Sequence, residues 1–216
     1  MFALFNRRSV GIHSIVLPAV GWPQTIATAA VVQWVNPAQT VALSVHFFDL
    51  PPDLPTLENL RDLRESYHQQ LGSQGGVIEL SVVHSAGLRC VKSIFKIPQK
   101  PAGTTYVASL TIPFKTCSFV IKVQAVETDP TGGREAMIID RLLASEEIQL
   151  GDEGLTGWLI DPTGRTEGVL MNKAEEERYD VDFPDHPLSL ARAILTKIER
   201  GLKAQPEIAK LRPFDR

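Results

Sequence analysis

Residues 106–127 read YVASLTIPFKTCSFVIKVQAVE, and this stretch decides the fold. In its second half Phe119, Ile121, Val123 and Ala125 share one parity with Cys117, while Ser118, Val120, Lys122 and Gln124 take the other. Period two sends successive side chains to opposite faces of an extended chain, so residues 117–126 are expected to form a strand with one wetter side. Residues 104–113 are a second β-branched run. The link Phe114-Lys115-Thr116 between the two is too short for a crossover, so the pair is expected to be antiparallel. Working outward, residues 98–103 and the break Ser85-Ala86-Gly87 separate two more such runs, 88–97 and 77–84, which makes a meander.

Further upstream, residues 25–35 (TIATAAVVQWV) and 40–48 (TVALSVHFF) flank the turn signal Asn36-Pro37 and read as a hairpin. Pro51, Pro52 and Pro55 exclude helix and central strand, and Thr56 is the expected N-cap of a helix striped by Leu57, Leu60, Leu63, Tyr67 and Leu71 up to Gly72. Thr131-Gly132-Gly133-Arg134 reads as a tight turn into a second helix, residues 134–147, with Ile138, Ile139, Leu142 and Leu143 on its apolar side. Asp185-His186-Pro187 opens a third, whose buried stripe is Leu188, Ala191, Leu195, Ile198 and Leu202 and whose wet side holds Arg192, Lys197, Arg200 and Lys203. The expected class is α+β: an antiparallel sheet of about six strands flanked by amphipathic helices. Residues 1–150 are expected to form the sheet-plus-helix core, 151–186 an acidic irregular excursion of the same domain, and 187–216 a C-terminal helix packed on the core plus a peripheral tail.

A chain of 216 residues, 44% of them hydrophobic, can bury a sizeable core. A net charge of −3 argues against nucleic acid and a basic membrane-surface role, since neutralising phosphates takes clustered Lys and Arg. No window reaches the apolar length of a membrane span. In residues 1–18 (MFALFNRRSVGIHSIVLP), His13, Ser14 and Pro18 interrupt the apolar run that a signal peptide needs, so the cytoplasm is expected. Cys90 and Cys117 sit in apolar runs and are expected to be buried and unpaired.

The histidines, His13, His46, His68, His84 and His186, form no HxH, HxxxH or HExxH spacing, and neither cysteine has a CxxC partner, so no metal site is expected. Neither G-x-S-x-G nor GxxxxGK[ST] occurs, and no catalytic residue or cofactor is assigned. His84, in parity with Ile78, Leu80 and Val82, is expected at the core edge. Residues 151–185 carry ten acidic and three basic residues. Aromatic residues among those charges suit a protein interface, which makes Trp158, Glu175, Glu176, Glu177, Tyr179, Asp180, Asp182 and Phe183 the candidate partner-binding set.

Residues 30–127 include VVQWVNP, the helix LENLRDLRESYHQQL and YVASLTIPFKTCSFVIKVQAVE, and this passage resembles the PsbP-like superfamily. That superfamily is named for a photosystem subunit and includes a nuclear-transport accessory factor. The resemblance implies an α/β/α sandwich used for binding and assembly rather than chemistry. The leading expectation is therefore a non-enzymatic protein-binding or accessory protein of a bacterial system, such as an immunity protein or an assembly or secretion component, with another protein as its partner. The alternatives are a hydrolase assembled from dispersed residues such as His84, Cys90, Cys117 and a carboxylate, and a small-ligand carrier.

Overall fold

A computed structural model describes residues 9–128, 130–152, 154–161, 165 and 167–215. Residues 1–8 of the stretch read for a leader, Asp129 and the acidic Glu153 lie outside the described residues. In chain order the strands are β1 (Ile15–Val16), β2 (Gln24–Ala27), β3 (Val31–Val35), β4 (Val41–Phe48), β5 (Gly76–Ser85), β6 (Leu88–Pro98), β7 (Thr104–Pro113) and β8 (Ser118–Val126). The short strands β9 (Gln149–Gly151), β10 (Gly154–Thr156), β11 (Leu159–Ile160), β12 (Met171–Asn172) and β13 (Lys203–Ala204) follow. The helices are α1 (Leu60–Leu71), α2 (Gly133–Ala144) and α3 (Pro187–Gly201).

Seven strands pair antiparallel in one open sheet, in the order β2-β3-β4-β8-β7-β6-β5. The alternation in β8 does what period two demands. Phe119, Ile121 and Val123 are buried with Leu43 and Val45 of β4 and with Leu110 and Ile112 of β7, under Leu188, Ala191, Leu195 and Ile198 of α3. On the other face a separate cluster joins Leu63 and Tyr67 of α1 to Leu80, Val82 and Val91 and to Leu54, Leu57 and Phe214. Helices thus cover both faces, α3 at the centre and α1 toward the β5 edge.

Four sequence expectations are corrected. The seventh strand arises because residues 25–35 are a hairpin, not one strand: Thr28 Oγ1 accepts from Val31 N at 2.9 Å while Thr28 N donates to Val31 O at 2.8 Å, closing a turn without Gly or Pro. Helix α1 is capped by Asn59, whose side chain accepts from the Arg61 and Asp62 amides, while Thr56 Oγ1 accepts from Glu58 N in the preceding turn. The phase shifts with the cap, leaving Leu60 49% exposed and burying Arg64 and His68. A bulge between Val77 and Glu79 rephases β5, so Leu80 and Val82 face α1 and His84 ends exposed at the strand's far end rather than at the core edge. The tail is tied down: β1 pairs with β13, Phe114 bridges Pro213, and Ile208 and Phe214 are buried. Cys90 and Cys117 are free and buried. Among the described residues no helix is long and apolar enough to cross a membrane.

Candidate functional site

Two arginines organise the acidic stretch. Arg134, in the first turn of α2, has a side chain with no solvent exposure. Its Nε donates to Ala174 O at 2.6 Å, Nη1 to Ser189 Oγ at 2.8 Å, and Nη2 to Glu176 O at 3.1 Å and Asp180 Oδ1 at 3.0 Å. From the opposite side Arg192 of α3 donates to Asp180 Oδ1 at 2.8 Å, to the Glu79 carboxylate and to the Glu175 carbonyl. A guanidinium carries five donors in a rigid fork, so one side chain can hold several acceptors of an irregular segment at once. Lys96 adds a buried ion pair, its Nζ donating to Glu175 Oε2 at 2.8 Å, and the same oxygen accepts from Asn172 N. Arg192, read from sequence as wet, is buried. No local signal marks this burial, because ten carboxylates beside three bases fit a solvated face equally well.

The candidate partner-binding residues therefore divide. Glu175 is 1% exposed, and Tyr179 is buried with Ile138, Leu142, Ile148 and Ala174. Trp158 and Phe183 pack against that cluster, and the Arg134 guanidinium stands 5.7 Å from the Phe183 ring. Asp180 is shared between the two arginines. Glu175 and Tyr179 are thus interior, a correction to their reading as surface contacts, while Trp158, Asp180 and Phe183 are half-buried beside them. Glu176 pairs with Arg178 at 2.6 Å, while Glu177 and Asp182 face solvent, Asp182 paired with Arg141 at 2.7 Å. Sequence reasoning missed the apolar residues displayed beside them: Val181 is 81% exposed, and Met137, one helical turn before Arg141 on α2, is 61% exposed.

A second constellation joins the end of β8 to two helix starts. Glu127 Oε1 accepts from Gly132 N at 2.7 Å, Glu135 lies in the first turn of α2, and His186 is the N-cap of α3. One ligand atom from each of Glu127, Glu135 and His186 lies within 4.8 Å of the others, and all three residues are half-buried. His186 Nδ1 accepts from Leu188 N at 3.2 Å, which leaves the ring proton on Nε2. Burial first, then Arg134, pushes His186 down to about 4, so the ring is neutral at pH 7. Burial raises the Glu127 carboxyl, with Glu135 adding to the rise. The Tyr106 ring meets His186 edge-on at 5.4 Å, and its hydroxyl is raised by burial and by Glu175, Glu135 and Glu127. Cavities of about 310 and 270 Å³ open on either side of Glu127.

The dispersed catalytic set is not brought together. His84 is exposed on the α1 side of the sheet, whereas Cys90 is buried beneath α3 with its thiol pushed up to about 12 by burial. Burial also raises Cys117. Ser44 Oγ and His46 Nε2 do meet, at 2.9 Å, but as i and i+2 of one strand, with the cation Lys122 beside the histidine rather than an orienting carboxylate. A third feature is an apolar groove of about 930 Å³ between residues 9–22 and strands β2–β4, walled by Leu17, Val20, Trp22, Val32, Trp34 and Val45.

No family model matches the chain, and no curated protein matches it in sequence. Among solved structures it is similar to the Saccharomyces cerevisiae Ran-binding protein Mog1p, at 9% identity and a TM-score of 0.46, over 88% of this chain and 90% of that one. It is also similar to the cyanobacterial PsbP, CyanoP, of Synechocystis, at 13% identity and a TM-score of 0.38, over 61% of this chain and 84% of that one. A Pseudomonas aeruginosa protein of unknown function aligns at 6% identity and a TM-score of 0.36, over 60% of this chain and 93% of that one. At these identities the likenesses carry nothing about function.

Proposed function

We propose that this chain is a non-enzymatic accessory protein that docks a basic protein partner on the surface formed by α2 and residues 177–185. The observation that carries the reading is the exposure of Val181 and Met137 around the Arg141–Asp182 pair, on a segment whose inward side is fixed by Arg134. An apolar centre on a pre-ordered support is what a protein interface uses, because ordering cost has been met before binding. The rim carries Asp140, Glu177, Asp182 and Asp185 against Arg141 and Arg178, all exposed, and its acidic excess suits a partner rich in Lys and Arg. Neutralising a basic toxin as an immunity protein, or seating a basic subunit in a bacterial assembly or secretion machine in the cytoplasm, are the roles such a surface fits.

The test is capture on the immobilised chain from its own cells, at low and high salt, alongside a Val181→Asp, Met137→Asp double variant. Both positions are exposed, so the variant keeps its fold, which circular dichroism checks. Retention of a basic protein that is salt-sensitive and at least about tenfold weaker with the variant is expected, tenfold being about 1.4 kcal/mol. A chain that stays alone, or a partner held equally by both forms, would remove the surface from consideration. A second reading, a carrier of apolar small ligands, is favoured by the groove of about 930 Å³, whose size and apolar lining are those of a ligand site.

A further inference from the structure

We propose that Glu127 and Glu135 bind one hard divalent cation such as Mn²⁺, Mg²⁺ or Ca²⁺, with His186 placed to orient one of the two carboxylates. The starting point is a missing positive charge. Two half-buried carboxylates and an imidazole converge within 4.8 Å from three different elements. Glu135 Oε2 and His186 Nε2 are shielded from solvent and have no hydrogen-bond partner among the described residues. A shielded carboxylate oxygen without a donor is costly, and a second carboxylate at this range adds repulsion.

The neighbouring cations are committed elsewhere. Arg134 directs its donors to Ala174, Glu176, Asp180 and Ser189. Lys96 pairs with Glu175, and Arg192 serves Asp180, Glu79 and Glu175. The Gly132 amide reaches only Glu127 Oε1. What the pair lacks is a cation that can sit between the two carboxylates.

The class of cation follows from the histidine. Because the Leu188 amide occupies Nδ1, Nε2 offers a proton rather than a lone pair. His186 is thereby suited to donate to a carboxylate oxygen and orient it, a supporting role around a metal, and poorly suited to ligate. The ligand set is then oxygen alone, which selects a hard cation that keeps several waters, and the cavities of about 310 and 270 Å³ on either side of Glu127 give those waters room. The amino terminus of α2 opposes a cation, which places the affinity in the weak range of about 10⁻⁴–10⁻³ M.

The experiment is titration of the full chain, stripped with chelator, with MnCl₂, CaCl₂ and ZnCl₂ at pH 7.5, followed by calorimetry and by Mn²⁺ electron paramagnetic resonance. One Mn²⁺ per chain is expected, with Glu135→Gln weakening it at least about tenfold. That substitution removes charge without removing a bond from Glu135 Oε2, so a melting curve near that of the parent shows the loss is not unfolding. His186→Asn keeps a capping acceptor and is expected to weaken Mn²⁺ only a few-fold. No bound Mn²⁺ at about 10 mM, tenfold above that affinity range, overturns the site, as does equal binding by Glu135→Gln. A Zn²⁺ preference abolished by His186→Asn overturns the oxygen-only assignment.

Discussion

Replacing Arg134 with methionine is expected to cost about 3–5 kcal/mol of stability, because it breaks a buried ion pair by removing one partner. Methionine fills much of the same volume, so packing loss is a minor part of the effect. What is lost is the set of donors to Ala174 O, Glu176 O, Ser189 Oγ and Asp180 Oδ1, all within 3.1 Å. Arg192 still reaches Asp180 at 2.8 Å, but the two carbonyls are left without that donor. Urea denaturation followed by fluorescence and circular dichroism reads the change. A loss under about 1 kcal/mol would mean the arginine is ordinary surface charge.

Phe119→Ala is the second large effect, about 3–5 kcal/mol, from lost transfer energy and the cavity left behind. Phe119 is wholly buried, with the Phe47 ring at 5.0 Å and the Phe114 ring at 6.3 Å. Its backbone lies between β4 and β7, paired across to Phe47 and Ile112, so the surroundings cannot collapse into the space. The midpoint of urea unfolding is expected to fall with an unchanged slope, as for a change in stability alone. A cost near that of an average surface substitution would contradict the register of β8.

The two cases show which parts of the molecule could be read in advance. The burial of Phe119 was legible because period two is local: residues 117–126 declare their faces without help from the rest of the chain. The α3 stripe was legible in the same way. The Thr28 turn was not, because TIATAAVV has no turn residue and its closure depends on one threonine hydroxyl. The phase of α1 depended on which of two capping residues, Thr56 or Asn59, won, and a bulge at Val77/Glu79 reset the faces of β5.

The arginine network lay outside local reasoning altogether. Arg192 occupies the polar side of its helix by pattern, and it is Asp180, folded back from the segment before α3, together with the remote Glu79 of β5 that turns that side into interior. The same holds for Glu127, Glu135 and His186, which meet because β8 ends and α2 and α3 begin at one corner. Glu175 and Tyr179 make internal contacts, while Val181, which no charge or aromatic pattern marks, takes the surface.

Amide hydrogen exchange across residues 172–183 tests the central claim, that this acidic stretch is fixed to the core and not solvated chain. The amides of Asn172, Glu176, Tyr179, Asp182 and Phe183 each donate to a bond within the segment. Slow exchange at these five, lost in the Arg134→Met protein while β8 stays protected, is the predicted result. Exchange at open-chain rates in the parent protein would contradict it, and with it the docking surface that the segment supports.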